Sequence, residues 1–246
     1  MSKFTCSGIS RSFRNFRLDN VSFSMESGYF YVLYVLVGVN GSGKTTLLNC
    51  VSGITDRFTG DAQINGISLK RAPVEYRQRL GYISETRPFF LERSLLENGA
   101  LFGCFYPGWS AGDYLSFLER FGLDPSRSAG ELSKGESMKL QAAFALSHHP
   151  EFLFLDEPLD GFDPVFRHSF LTLLQELLEL DMGILLSTHI TEDMDRLADY
   201  LLIMENGKLS KCDTTEQLND DYTDITGNST RHIRDLLELE HRGGAQ

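Results

Sequence analysis

Residues 38–46 read GVNGSGKTT, a string that satisfies GxxxxGK[ST] with Lys44 and Thr45 and stands between an apolar run at 29–37 and a helical pattern at 45–51. This feature limits the possible folds more than any other in the chain. Glycines let the main chain approach a phosphate closely, and successive N–H groups at a helix N-terminus face the anion. Lys44 adds a point charge, and the Thr45 hydroxyl is a hard ligand suited to magnesium. Gly38, Val39, Asn40, Gly41, Ser42, Gly43, Lys44, Thr45 and Thr46 are therefore the expected phosphate cradle.

The run at 29–37 is apolar on both faces, as expected of a strand inside a parallel sheet, and 152–155 and 184–186 read the same way. Helical periodicity falls at 45–51, 95–105, 113–121, 138–146 and 165–180, with Pro164 at a first helical position. Strands alternating with helices predict an α/β fold with a parallel sheet. Residues 20–25 alternate apolar and polar, and 61–69 carry Asn65-Gly66, a hairpin signal, so the N-terminal part reads as an antiparallel edge. A second hairpin, at 200–209 around Asn206-Gly207, closes the core. No strand is evident from 86 to 149. The expectation is a P-loop NTPase: a RecA-like parallel sheet core at about 1–85 and 150–213, with a helical lobe inserted at about 86–149. Residues 214–246 read as a short polar tail with a short helix at 231–240.

Tyr31-Val32-Leu33 is repeated at once as Tyr34-Val35-Leu36. An insertion of three residues exchanges the two faces of a strand. Both faces here are apolar, so the exchange is either tolerated or absorbed as a bulge.

Composition removes other classes. With 34 Asp+Glu against 23 Lys+Arg, the net charge of −11 predicts no nucleic-acid partner, since a duplex would repel the chain at long range. The longest apolar run is about half of the roughly 20 residues a membrane-crossing helix needs. The first residues, MSKFTCSGIS, carry no signal peptide, which predicts a cytoplasmic location. Four scattered cysteines without a CxxC pair predict neither disulfides nor a zinc site.

Residues 152–157 read FLFLDE, a buried strand ending in two acids. In a nucleotide hydrolase the first, Asp156, orients magnesium and the second, Glu157, polarises the attacking water as general base. Residues 132–136 read LSKGE, in which Ser133 and Glu136 have the spacing of a capping box. Taken with FLFLDE beginning nineteen residues after Ser133, LSKGE resembles the signature of ATP-binding-cassette (ABC) ATPases, usually LSGGQ.

The resemblance covers about residues 4–209, with the motifs in the family's order. It places Phe13 where an aromatic ring stacks on adenine, with Phe16 as a rival. Glu85 falls at the Q-loop position, where Gln is commoner, and would offer an oxygen to magnesium or water. Gly161-Phe162-Asp163 resembles the D-loop, with Asp163 either capping a helix or reaching across a dimer. Ser187-Thr188-His189 resembles the switch histidine, which would hold the attacking water with Glu157. The resemblance further implies ATP and Mg2+ held in a head-to-tail dimer, identical or mixed, where Ser133 and Gly135 contact the γ-phosphate of the opposite cassette. Glu136 replaces the usual Gln, so its carboxylate either lies near the nucleotide or only completes the capping box.

What the resemblance implies for function is the ATPase subunit of a membrane transporter, held at the inner face of the membrane by an integral subunit. That subunit would dock near residues 85–112, where Phe89, Phe90, Phe102, Phe105, Tyr106 and Trp109 are candidate contacts, most of them as readily core. Export is the expected direction, because the sequence ends soon after its last strand and LSKGE with Glu85 resembles bacterial exporter ATPases for drugs, antimicrobial peptides or lipids. The alternative is a soluble ABC ATPase, such as one serving an iron–sulfur assembly scaffold. A GTPase would want NKxD, which the sequence lacks.

Overall fold

The computed structural model describes residues 1–35, 43–86, 88–189, 194–195, 197–226, 232–233 and 235–237. Strands β1 (Lys3–Ser12), β2 (Arg17–Glu26) and β3 (Phe30–Val35) precede helix α1 (Lys44–Val51). Strands β4 (Thr59–Ile64) and β5 (Ile67–Ser68), helix α2 (Pro73–Arg77) and strand β6 (Leu80–Ile83) lead to the helical lobe. There α3 (Leu95–Gly103), α4 (Ala111–Arg120) and α5 (Lys134–Leu146) follow one another. The chain returns through β7 (Phe152–Asp156), α6 (Pro164–Glu179), β8 (Gly183–Ser187), β9 (Tyr200–Glu205) and β10 (Lys208–Thr214), and then forms α7 (Thr215–Thr226).

Six strands form one sheet in the order β10-β9-β3-β8-β7-β6, parallel except for β10. The expected N-terminal antiparallel edge is a sheet of its own, ordered β2-β1-β4-β5. It packs over one face of the parallel sheet: Tyr31, Leu33, Phe152, Phe154 and Leu185 join Phe4, Ile9, Ile64 and the α1 leucines in one core. The other face, with Phe30, Val32, Tyr34, Leu153, Leu155 and Ile184, packs against α6 and the lobe. A strand covered on both sides has no polar position to spare, which is why β7 is apolar until its last residue.

The tandem repeat sits in this double burial. Tyr31 and Tyr34 point into opposite cores, and β3 pairs without a break against β9 from Tyr31 through Val35. No bulge is present in that pairing. Residues 36–42, which include Leu36 of the repeat and Gly38 to Ser42 of the expected phosphate cradle, lie outside the described residues.

The C-terminal segment departs from the sequence reading, whereas the lobe follows it in having no strand among its described residues. Residues 215–226 form a helix rather than a plain polar tail, anchored by buried Leu218, while Ile233 and Leu236 reach the same core as the lobe. In the lobe, the only pairing among the described residues is an isolated bridge between Ser94 and Ser128. No described helix is long and apolar enough to cross a membrane.

Candidate functional site

Parallel strands deliver their C-terminal ends to one edge of the sheet, the edge where ligands of open α/β sheets bind. Strand β7 ends on Asp156 with Glu157 next, β8 ends on Ser187 shortly before His189, β6 runs into Ser84 and Glu85, and α1 opens at Lys44. Gly43, just before α1, has φ +104°, a conformation that glycine adopts without strain. A Cβ there would stand 2.8 Å from the Phe16 ring, so the side chain is excluded on two counts.

Lys44 Nζ lies 2.6 Å from Glu157 Oε1, with side chains only 13% and 19% exposed. The other carboxylate oxygen of Glu157 is 3.1 Å from His189 Nδ1, and His189 Nε2 is 3.7 Å from Asp160. The Thr45 hydroxyl donates to Asp156 Oδ1 at 3.2 Å, and the Ser187 hydroxyl donates to the same oxygen at 2.8 Å. Burial pushes the Asp156 carboxyl above its ordinary value, while the Ser187 and Thr45 hydrogen bonds pull the other way. Glu157 itself has left-handed backbone angles, φ 50° and ψ 43°, unusual for a residue with a Cβ. Its N–H is held by the Ser187 carbonyl at 3.1 Å and the Ser187 hydroxyl at 3.2 Å.

Lys44, Thr45, Asp156, Glu157 and His189 are thus brought together, and Thr46 follows them, half-buried, in the first turn of α1. The remaining expected residues lie on other elements. Phe13 is exposed, with the Arg11 guanidinium 4.6 Å over its ring and Phe16 6.1 Å away. Because Phe16 packs on Gly43 and the core, Phe13 is the ring left open to a ligand. Ser133 caps α5, and Glu136 completes the capping box while also pairing with Arg127 at 2.6 Å. Arg127 and the Ser133 N–H hold the Glu136 carboxyl down at about 2. Lys134 and Gly135 open α5 just beyond Ser133. Glu85 is exposed, and its carboxylate pairs with Lys134 at 2.5 Å. Asp163 caps α6 by accepting from the Val165 and Phe166 N–H groups, and the Phe166 bond helps hold its carboxyl low.

Sequence reading missed four contributors to this geometry: Asp160 beside His189, Ser187 as the brace between the two acids, Lys134 as the partner of Glu85, and Gln141. Ser187 and Lys134 stand inside motifs already singled out, so the signal was there without the contact. Gln141 gave none, being one polar residue in a helix.

A hydroxyl and a buried carboxylate oxygen side by side, near a lysine that follows the glycine-rich sequence, are a donor set for a hard divalent cation with a phosphate. The family profile described as ABC transporter matches residues 18–160, more than half of the chain. The chain belongs to the ABC transporter family. It is 28% identical over 209 residues to the ABC transporter ATP-binding protein YtrB of Bacillus subtilis, covering 85% of this chain and 70% of that protein. It is also 29% identical over 230 residues to the Nod factor export ATP-binding protein I of Cupriavidus metallidurans, covering 89% of this chain and 75% of that one. Among solved structures, an ATP-binding subunit of an ABC transporter superposes with a TM-score of 0.84 at 28% identity, covering 97% of this chain and 99% of the other. The ABC ATPase fold and the P-loop NTPase class therefore stand, as do similarity to ATP-binding subunits and the nucleotide-binding character of the domain.

Proposed function

We propose that this ABC chain hydrolyses ATP at the seam of two cassettes and that the cycle drives export through a separate integral membrane subunit. The observation that carries this reading is the cluster of Lys44, Thr45, Asp156, Glu157 and His189 at one edge of the sheet. Lys44 binds the β- and γ-phosphates as a point charge. Thr45 and Asp156 would hold Mg2+, which would supply neutralisation of charge on the transferred phosphoryl group. Glu157 takes the proton of the attacking water, and His189, hydrogen-bonded to its far oxygen, holds that water and the γ-phosphate in line. Phe13 stacks on adenine. Ser133 and Gly135 of the opposite cassette close the site through a hydroxyl, an N–H and a helix N-terminus, with Asp163 at the same seam. Glu136 is occupied by Arg127 and by its cap, which favours a structural part in shaping that N-terminus.

The membrane partner is supported by the lobe. Phe90, Leu91, Leu96, Leu101 and Phe105 are exposed there, whereas Phe89 is buried and Phe102, Tyr106 and Trp109 are half-buried. A groove of about 220 Å³ runs between lobe and core, lined by Arg77, Phe89, Phe102, Tyr106 and Phe144 among others. An apolar surface of this kind suits a cytoplasmic helix of an integral subunit, which would hold the chain at the inner face of the membrane. Export is favoured by the Nod factor export relative.

The test is Glu157→Gln in the full chain with Mg·ATP. ATP should still bind, turnover should fall at least about a hundredfold, the scale of a lost general base, and an ATP-bound dimer should accumulate on gel filtration. Turnover at the wild-type rate would remove Glu157 from its assigned role.

A further inference from the structure

Glu85 stands just beyond β6 in the α/β core, yet the long-range hydrogen bonds that hold its turn and its side chain come from α5 in the lobe. Gln141 is buried on α5, two turns past Ser133. Its side-chain oxygen accepts from the Ser84 N–H at 3.2 Å, and its NH2 donates to the Ser84 and Thr86 carbonyls at 2.9 Å each. Both N–H donors and the oxygen of the amide are thereby used, on main-chain groups that bracket Glu85 on either side. Ser84 and Thr86 also join hydroxyl to hydroxyl at 2.7 Å, which closes the short turn beneath the carboxylate. The Glu85 side chain then meets Lys134, the first helical residue of the same α5, at 2.5 Å.

We infer that Gln141 is a positioning residue for the ATPase site: with Lys134 it makes the Glu85 loop move as one body with the signature segment 133–136. This deepens, and rests on, the ATPase reading above. A loop tied only by its own strand would follow the phosphate-binding edge of its own cassette. Tied to α5 through a buried amide, it cannot shift without dragging the helix or leaving the Gln141 amide and the Ser84 main-chain groups buried and unmatched. The lysine adds a second, exposed fastening that acts on the carboxylate itself. Nucleotide felt at Glu85 is thus passed to the Ser133 end of the same chain, the part that serves the opposite cassette.

Hydrogen exchange on the full chain tests this at a concentration low enough to keep it monomeric, with Mg·ADP as the probe. In the wild type, nucleotide should change exchange in both segments 84–86 and 133–137, by about threefold or more. In Gln141→Leu the response at 84–86 should persist and that at 133–137 should disappear. Lys134→Ala, a surface change that leaves the core intact, should weaken the second response without abolishing it. In steady-state assays Gln141→Leu should lower kcat about tenfold with KM within about twofold, the signature of misplacement rather than lost binding. Glu85→Ala added to it should cost little more, because an unpositioned carboxylate has little left to lose. A wild-type response confined to 84–86, an undiminished 133–137 response in Gln141→Leu, or additive effects of the two substitutions would overturn the inference. If the wild type neither binds Mg·ADP nor responds in either segment, it is the nucleotide reading of the site that falls.

Discussion

The Lys44–Glu157 pair has a consequence that can be measured without any turnover. If Lys44 meets the phosphates as proposed, nucleotide can bind fully only after Glu157 has let the lysine go. Two unit charges about 4 Å apart attract by about 4 kcal/mol at an effective dielectric constant of 20. Desolvation cancels much of that for a buried pair, while an exposed pair is worth about 0–1 kcal/mol. With side chains 13% and 19% exposed, the pair falls between these limits. A net value of about 1–2 kcal/mol corresponds to roughly 5- to 30-fold in affinity. Glu157→Gln keeps the size of the side chain and removes the charge, so Mg·ADP should bind about 5- to 30-fold more tightly than to the wild type. ADP is the right ligand, because it cannot be hydrolysed here and carries no γ-phosphate through which dimer trapping would raise the affinity. Isothermal titration calorimetry at low and high salt reads the effect directly. Asp160→Asn, which removes a carboxylate from the same neighbourhood without freeing Lys44, should change the affinity by less than about twofold. An unchanged or weaker affinity in Glu157→Gln, or an equal gain in Asp160→Asn, would refute the argument.

Two further outcomes follow from single residues. Lys44→Ala should lose nucleotide binding, and an unchanged affinity by calorimetry would contradict the phosphate-loop assignment. His148 is buried with its Nε2 on the Leu80 carbonyl, and burial pulls its pKa down to about 4. The unfolded chain binds that proton near pH 6.5 and the folded chain only near 4, so stability is complete above about 6.5 and drains away as pH falls through that window. The loss amounts to about 3 kcal/mol by pH 4; denaturant titrations of His148→Gln should show a flatter curve between pH 6.5 and 4, and an unchanged slope would count against the assignment.

The parts of this site legible in the sequence are those where a chemical group is welded to a strand end. A fully buried strand announces itself by an unbroken apolar run, and the acids that interrupt it, Asp156 and Glu157, mark the edge where the sheet stops. Glycines before Lys44 and a serine three residues before a glutamate carry their meaning locally in the same way. Contacts between elements are not written so plainly. Gln141 and Ser84 are 57 residues apart, and an amide among alanines on α5 could as well face solvent until the lobe is docked. The four-stranded sheet was hidden for a related reason: alternation shows that a strand has a covered face without showing which neighbour covers it, and β1 carries irregular register against both its partners. Helix α7 escaped because its single buried leucine, Leu218, makes no periodic stripe. Helix α2 and strand β6 are four or five residues long, too short for a period to show.

Asp156 allows the conflict between site chemistry and stability to be tested on one atom. Asp156 is 5% exposed, and burial raises its pKa despite the donors from Ser187 and Thr45. A carboxyl whose folded pKa lies above its unfolded value binds more protons folded than unfolded. Stability therefore falls as pH rises from the unfolded value near 3.9 through the raised one, and the cost stays in place at neutral pH. On the proposed role, a magnesium ion bound beside Thr45 would offset that cost. Asp156→Asn removes the charge and keeps an oxygen for the Ser187 hydroxyl, so the nucleotide-free protein should melt at a higher temperature at pH 7. Each 1 kcal/mol is worth about 2–4 °C in a chain of this size, within reach of calorimetry or fluorescence melting. The same substitution should abolish the extra rise in melting temperature that Mg2+ gives over nucleotide alone. A lower melting temperature at pH 7 would mean that the hydroxyl donors already outweigh burial, and a surviving magnesium increment would place the metal on other oxygens.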